Sequence, residues 1–520
     1  MSKYTLIIDQ GGHSTRALVF NQKGEPIAYS SEPVDQALET PSPDHVEYNI
    51  DAIIDSTRQL LQRLFQQLSH KKILKITSAA IIAQRSSIVA CDKNGIALTE
   101  MISWQDTRNA AWLAQQNFNQ HELQAITGLR NNPHMGASKI RWLLDHDTNI
   151  QEHAKTQNLM FMPWGAYFLQ RLKQLSKKDD TKNESQEPIE FVTDPILAAR
   201  TGLVAYQEYD WSEKLLALYG LQTYYFPKIV SSSYHYGEIK LNGIHIPIQL
   251  LGGDQNFIPC AYGNRHITDT IYLNIGTGAF LQAHAKQKEQ HALLKTTIAQ
   301  EKVAADAPSN STTNNGKARN VSIIEGTVNA AATALDWWQT QLPRPFSYTE
   351  IDQIIEQNSI APLFINTLSG TGSPYWLATK EPVFLNIGDE QHSEAEKTLA
   401  VIESILFSCK LNIDIILKQN CDVKMIIISG GLSRSDAICQ LLADITDINI
   451  TRYNDSEASA RGALFYLLNK EEYHPKNESR LFSPRRRAKN EIEKVEQHLK
   501  RFDHYKAHME TLGHSNSLSD

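Results

Sequence analysis

The chain predicts an α/β architecture made of two related domains. Apolar strands alternate with amphipathic helices through most of its length, the pattern of layered α/β proteins. The opening residues Tyr4 to Phe20 read as an apolar strand, a glycine-bearing turn and a second strand, and Thr270–Phe280 repeats that pattern. A chain of 520 residues also exceeds what one hydrophobic core ordinarily serves.

The elements justify themselves in order. Strands near Tyr4–Ile8, Arg16–Asn21 and Pro26–Tyr29 form a meander, with Asn21-Gln22-Lys23-Gly24 as one of its turns. Ile53, Ile54, Leu60, Leu61, Leu64 and Phe65 recur at helical spacing and predict a helix over about Ile50–Leu68. A buried-type strand at Ala79–Ile82 follows, then a hairpin from Ser87–Cys91 turning at Lys93-Asn94-Gly95. Ile246–Leu251 reads as a strand ending in Gly252-Gly253-Asp254-Gln255. Lys424–Ser429 is a strand running through Gly430-Gly431 into a helix over Asp436–Thr446. From Ser483 the chain predicts a helix with Ile492, Val495, Leu499 and Phe502 on one face. Residues 173–190 and 300–320 are polar, lack an apolar period and read as surface insertions.

Composition narrows the function classes. Hydrophobic residues make up 41% and charged residues 21%, ordinary values for a globular protein. A net charge of −7 gives no basic footprint for nucleic acid. Arg485-Arg486-Arg487 reads as the start of a solvated helix, since acidic residues follow. Five cysteines without C-x-x-C spacing point to a reducing compartment. No leader precedes the first strand and no apolar run reaches the ~18–20 residues of a membrane span, so a cytoplasmic protein is expected. The histidines show no metal-ligand spacing, and no structural metal is expected.

Several motifs carry chemistry. The glycines after Asp9-Gln10 let backbone N–H groups approach phosphate oxygens, and a carboxylate at position 9 can hold a metal ion beside them. Asp254, at a strand end near the middle of the chain, can accept a proton from a substrate hydroxyl; equally, it can cap the helix that follows. Gln84-Arg85-Ser86-Ser87 and Trp104-Gln105-Asp106-Thr107-Arg108 offer hydroxyl-binding groups and an aromatic face for a polyol; the alternative is a surface ion pair and a core tryptophan.

In combination these residues resemble the FGGY carbohydrate kinases, and among them the glycerol kinases. The resemblance runs nearly end to end through Asp9-Gln10-Gly11, Gln84-Arg85, Trp104-Gln105-Asp106, Gly253-Asp254-Gln255, Gly276-Thr277-Gly278, Glu325-Gly326, Ser373-Pro374-Tyr375-Trp376, Gly430-Gly431 and Glu457-Ala458. It implies two ribonuclease-H-like domains of the actin and sugar-kinase type around a central cleft, with residues 1–253 carrying the acceptor site and phosphate loop, and residues 254–520 binding ATP and ending in the helix from about 483. It implies Asp254 as catalytic base and Asp9 as the Mg²⁺ ligand. The implied acceptor set is Arg85, Ser86, Trp104, His134, Asp254 and Gln255. The implied ATP set is Gly12, His13, Ser14, Arg16, Gly276, Thr277, Gly430, Gly431 and Ser435.

Departures from the family pattern bear on specificity. Glycerol kinases usually have two threonines where this chain has Gly12 and His13, a glutamate where it has Ser86, and a tyrosine where it has His134. The glycine-rich basic loop that binds fructose 1,6-bisphosphate in some of them is missing at Gly237–Gly243, so no such inhibition is expected. The expected activity is ATP-dependent phosphorylation of glycerol or a similar polyol, with a ketose such as a pentulose, or a tetritol, as the alternative acceptor. Rivals from other classes are an actin-like ATPase and a sugar-binding protein without turnover. Expected partners are small molecules, without nucleic acid or membrane. Relatives commonly form dimers or tetramers, so a homo-oligomer is one expectation.

Overall fold

The computed structural model describes residues 3–70, 75–178, 189–241, 244–263, 267–285, 293–297, 321–368, 370–377, 381–385, 391–420, 422–453, 457–470, 479–485 and 489–517. The chain forms two compact units. The first comprises Met1–Asn264, Thr296–Val321 and Glu457–Tyr473; the second comprises Arg265–Lys295, Ser322–Ser456 and His474–Asp520.

The first unit is built on a six-stranded sheet in the order Glu238–Leu241, Ile244–Gly253, Ile76–Ala83, Tyr4–Gln10, Ser14–Asn21, Pro26–Pro33. The three N-terminal strands form the expected antiparallel meander. Ile76–Ala83 lies parallel to Tyr4–Gln10, and Ile244–Gly253 lies parallel to Ile76–Ala83. Tyr4–Gln10 is buried at every position after the first, as a central strand covered on both faces must be. The helix Ile50–His70 supplies one cover. Asn49 starts it by accepting the N–H of Ala52 at 2.9 Å. The six apolar residues at helical spacing are all buried, in one cluster with Leu6, Ile8 and Val19.

A smaller five-stranded sheet runs Leu38–Glu39, Glu47–Tyr48, Met101–Ile102, Ile88–Cys91, Met160–Pro163. The helix Ala458–Leu468 packs on the 3₁₀ segment Gln255–Tyr262. The segment 173–190, expected to be a loop, is helical through Lys178 because the helix Trp164–Lys178 continues into it; residues 179–188 lie outside the described residues, as do 300–320.

The second unit repeats the plan. Its sheet contains, in order, Ser322–Val328, Ala279–His284, Thr270–Ile275, Met425–Ser429, Asn449–Tyr453 and Ser479–Phe482. The first three pair antiparallel, and the next two extend the sheet in parallel. A helix at Glu394–Gln419, opened by a capping box between Ser393 and Glu396, crosses its core.

The C-terminal helix spans Lys489–Ser517. It does not begin near 483: Ser483–Arg485 is irregular. Pro484 disfavours the helical conformation for Ser483, and the Arg485 guanidinium is drawn to Asp444, with Nε donating to Oδ2 at 2.8 Å. Arg485 therefore does not open a solvated helix. Leu499 and Phe502 of the expected face pack on the core. His498, Arg501, Phe502, Tyr505 and Met509 are buried, while Ile492 is exposed. Glu403 anchors this side of the helix by accepting from Arg501 Nε at 2.8 Å and by bonding His498.

Candidate active site

Three parallel strands bring distant residues to one sheet edge. Gln10, Ala83 and Gly253 stand opposite one another across neighbouring strands. Gly11, Gln84 and Asp254 therefore leave the sheet side by side. Backbone bonds secure this, with Gln84 N–H donating to Gln10 O at 2.9 Å and Asp254 N–H to Ala83 O at 3.0 Å. Ligands in open α/β sheets gather at such carboxyl ends.

Side chains lock the edge. Gln10 Oε1 accepts from Gln84 Nε2 at 3.2 Å and from Trp164 Nε1. Ser87 Oγ donates to Gln84 Oε1 at 3.1 Å and accepts the N–H of Trp104 at 2.9 Å. The phosphate-type turn and the polyol-type loop are thus one continuous hydrogen-bonded network. Tyr48 adds a donation from its hydroxyl to Gly12 O at 3.0 Å.

Asp254 is half-buried and caps Gln255–Tyr262 by accepting the N–H of Gln255 at 2.8 Å. Its other oxygen accepts from Gln255 Nε2 at 3.2 Å. Capping and proton acceptance are therefore compatible roles. Burial is the main influence raising its carboxyl above the usual range, opposed by the positive charge of Arg85 and reinforced by the negative charge of Asp9. Arg85 is buried and donates from Nη1 to Asn256 Oδ1 at 3.1 Å. Gln255 Oε1 is buried without a hydrogen-bond partner.

Asp9 is fully buried. Its Oδ2 accepts from Arg16 Nη2 at 2.5 Å and from Ser459 Oγ at 2.9 Å. Its Oδ1 is buried and has no partner, an expensive state unless a ligand completes it. Arg16 also donates to Glu457 at 3.1 Å, and Asp9 heads the causes that raise its guanidinium pKa. In the adjoining turn Gly11 N–H donates to Ser14 O at 2.9 Å. Gly12 and Ser14 are half-buried and His13 is exposed.

The polyol-type residues lie around Trp104 and His134, whose rings are 6.5 Å apart. His134 Nδ1–H donates to Trp104 O at 3.0 Å, which leaves Nε2 as an acceptor. Burial, foremost, lowers the His134 pKa. Ser86 is half-buried at φ +65°, a left-handed conformation that costs a serine about 1–3 kcal/mol. Asp106 and Arg108 are not available to a polyol. Both are buried and bound to each other at 2.7 Å, with Arg108 also pairing Glu47 at 2.5 Å and Asp106 accepting Val46 N–H at 2.8 Å. The sequence motif showed the pair but not its burial.

In the second unit, Thr270–Ile275 and Met425–Ser429 are parallel neighbours, so the turns Gly276–Gly278 and Gly430–Gly431 leave one sheet edge. Gly276 N–H donates to Gly278 O at 2.9 Å. Thr277 is exposed at the tip, its carbonyl accepting the N–H of Ala331 at 2.8 Å. Gly430 has φ +93° and approaches Ile275 O so closely that a Cβ would lie 2.4 Å away. A Cβ at Gly431 would meet open space. Ser435 caps the helix Asp436–Thr446, accepting the N–H of Ile438 at 3.1 Å, and its hydroxyl donates to Asp352.

Sequence reasoning missed several contributors: Asn256, Ser459, Trp164 and Lys139. Lys139 left a signal, because it sits between Gly136, Ile140 and Leu143 on the apolar stripe of a helix.

Two units that share one strand order, each with glycine turns at its strand ends, define the ribonuclease-H-like class of phosphate-handling α/β proteins. Residues 4–258 match the N-terminal domain model of the FGGY family of carbohydrate kinases and residues 271–467 match its C-terminal domain model, so the chain belongs to that family and is a sugar or polyol kinase. Glycerol kinases of Streptococcus agalactiae and Streptococcus pyogenes are each 27% identical to it, over 89% of this chain and 87–88% of theirs. Solved structures with the same fold include a Plasmodium falciparum glycerol kinase with ADP (TM-score 0.76, 19% identity, 97% of this chain and 98% of that one) and a Lactobacillus acidophilus gluconate kinase (TM-score 0.78, 20% identity, both chains covered in full).

Proposed function

We propose that the protein transfers the γ-phosphoryl group of ATP to a hydroxyl of glycerol or a related small polyol. The observation that carries this reading is Asp254, a carboxylate with a raised pKa at a sheet edge, beside Arg85. Asp254 accepts the hydroxyl proton as the oxygen attacks phosphorus. Arg85 keeps the carboxylate ionised, and Gln255 Oε1 accepts from a second hydroxyl. Trp104 packs on the carbon chain, and Ser86 and His134 Nε2 bond further hydroxyls.

Backbone N–H groups of Gly12, His13 and Ser14 bind phosphate oxygens, and in the second unit the Gly276-Thr277 turn offers the exposed Thr277 for the same role. Gly430 and Gly431 border the adenosine, next to the helix capped by Ser435. Arg16 pairs with Asp9 and adds positive charge beside the phosphates. Asp9 Oδ1, buried without a partner, fits a cation and would hold Mg²⁺. The chemistry such an ion would supply there is neutralisation of charge on the transferring phosphates. In this assignment the first unit carries the acceptor residues and one phosphate turn, and the second unit carries the adenosine turn, of a cytoplasmic enzyme acting on small molecules, with a homo-oligomer as its expected assembly. No helix among the described residues is long and apolar enough to cross a membrane.

Ser86 and His134 support a second reading, in which a ketose such as a pentulose, or a tetritol, is the better acceptor. A serine hydroxyl and a neutral imidazole bind hydroxyls without a carboxylate charge, and contacts to charged groups are worth ~1.5–3 kcal/mol each. ADP release measured over glycerol, erythritol, ribitol, xylulose, ribulose and gluconate decides between the two by kcat/KM. Asp254→Asn should lower kcat ~10²–10⁴-fold with ATP still binding. Full turnover in that variant removes Asp254 from its role, and ADP release that no acceptor stimulates sinks the kinase assignment.

A further inference from the structure

Lys139 has no part in the site as assigned above, yet it is completely buried within it. Its ammonium donates to Ser86 O at 3.0 Å and to His134 O at 2.8 Å. Among the described residues no carboxylate lies within ion-pair distance of it. The two carbonyls belong to separate loops, 48 positions apart in sequence. One follows Ile76–Ala83 and holds Ser86 in its left-handed conformation; the other precedes the helix Gly136–His146 and orients His134 toward Trp104. A buried cation with carbonyl partners only is costly for the fold, so its retention calls for a reason beyond stability.

We propose that Lys139 is a positioning residue for the acceptor: its ammonium clamps the Ser86 loop to the His134 loop and so sets the width of the polyol site. The inference rests on the assignment of Ser86 and His134 to that site. Lys139 does not touch the acceptor.

The clamp is sensitive to pH. Burial, chiefly, pushes the Lys139 pKa down to about 7. The groups facing it are His134, which burial holds neutral through most of this range, and Asp106 and Arg108, whose mutual ion pair leaves opposed effects on Lys139. Glu47 is held on Arg108. Above about pH 7 the ammonium becomes an amine, and two charge-assisted bonds become weaker neutral ones. The fold responds with the opposite sign. Between about 7 and 10.5 the unfolded chain binds more protons than the native one, so the Lys139 contribution to stability rises with pH while the clamp loosens.

Steady-state kinetics from pH 6 to 9 tests this on the wild type, Lys139→Met and Lys139→Arg, using the best acceptor of the screen. In the wild type the acceptor KM should rise roughly 3- to 10-fold across pH 7, with kcat changed less and the KM for ATP unmoved. Lys139→Met should raise the acceptor KM about 10-fold or more and abolish its pH dependence; Lys139→Arg should keep a low, pH-independent value. Equal acceptor KM values in wild type and Lys139→Met overturn the clamp, as does a pH dependence that persists in Lys139→Met. A crystal structure of Lys139→Met gives a readout without turnover. The Ser86 and His134 carbonyls should separate, and an unchanged main chain there overturns the proposal even if Asp254 proves not to be a base. Loss of turnover in Asp254→Asn with an unmoved KM in Lys139→Met would reject the clamp alone.

Discussion

Gly253 shows how much one absent Cβ decides at the acceptor site. A Cβ there would lie 2.8 Å from Cγ and Cδ of Arg85 and 3.0 Å from Asn256 Oδ1. The strand can therefore deliver Asp254 beside Arg85 only if position 253 has no side chain. Gly253→Ala should displace the Arg85 stem, cost about 1–3 kcal/mol of stability and raise the acceptor KM with the KM for ATP unchanged. A variant with parental acceptor KM shows that Arg85 is free to move. At this scale the sequence made the carboxylates and glycines legible, since Asp9, Asp254 and Gly430-Gly431 stand at the ends of apolar runs. It could not reveal that the Asp106–Arg108 pair is buried, or which two loops Lys139 joins, because burial and partners depend on neighbours far away in the chain.

At the scale of elements, strand ends do the assembling. Register, with Gln10 opposite Ala83 and Ala83 opposite Gly253, brings segments about 75 and 245 positions apart in sequence to one edge. The helix Ala458–Leu468 then closes the back of the Asp254 segment. A Cβ at Gly462 would lie 1.9 Å from the carbonyl oxygen of Phe257, so this helix sits against bare backbone. Gly462→Ala should cost about 3 kcal/mol or more and lower the melting temperature by several degrees. A thermal melt matching the parent would show that the close approach does not matter. The C-terminal helix illustrates the limit of periodicity. Of its apolar face as read from sequence, Leu499 and Phe502 pack inward while Ile492 is exposed, and Glu403 on a neighbouring helix holds His498 and Arg501 inward as well. Periodicity does not show these polar groups as inward, yet leaving Glu403 buried and unpaired would cost several kcal/mol.

Across the whole molecule the same strand plan occurs twice, as the echo of Tyr4–Phe20 in Thr270–Phe280 suggests. In the first unit Leu241 stands opposite Ile244 in the antiparallel pair that follows Gly237, so two residues join these strands. A connection of that length has no room for a basic loop that embraces a sugar bisphosphate. Addition of fructose 1,6-bisphosphate to the kinase assay should leave the rate unchanged, and a clear fall in rate would place an inhibitory site elsewhere on the chain.

The sequence by itself determined the strands, the glycine turns, the carboxylates beside them and the duplication, because each is written in a run of neighbouring residues whose spacing or backbone freedom is local. Only the tertiary structure decided which polar groups face a ligand and which face one another: Asp9 Oδ1 and Gln255 Oε1 stay without partners, Asp106 is closed by Arg108, and Lys139 bridges two loops. Those outcomes depend on burial and on hydrogen-bond partners that residue spacing does not encode, since a buried polar atom must find its partner in space wherever the chain supplies one.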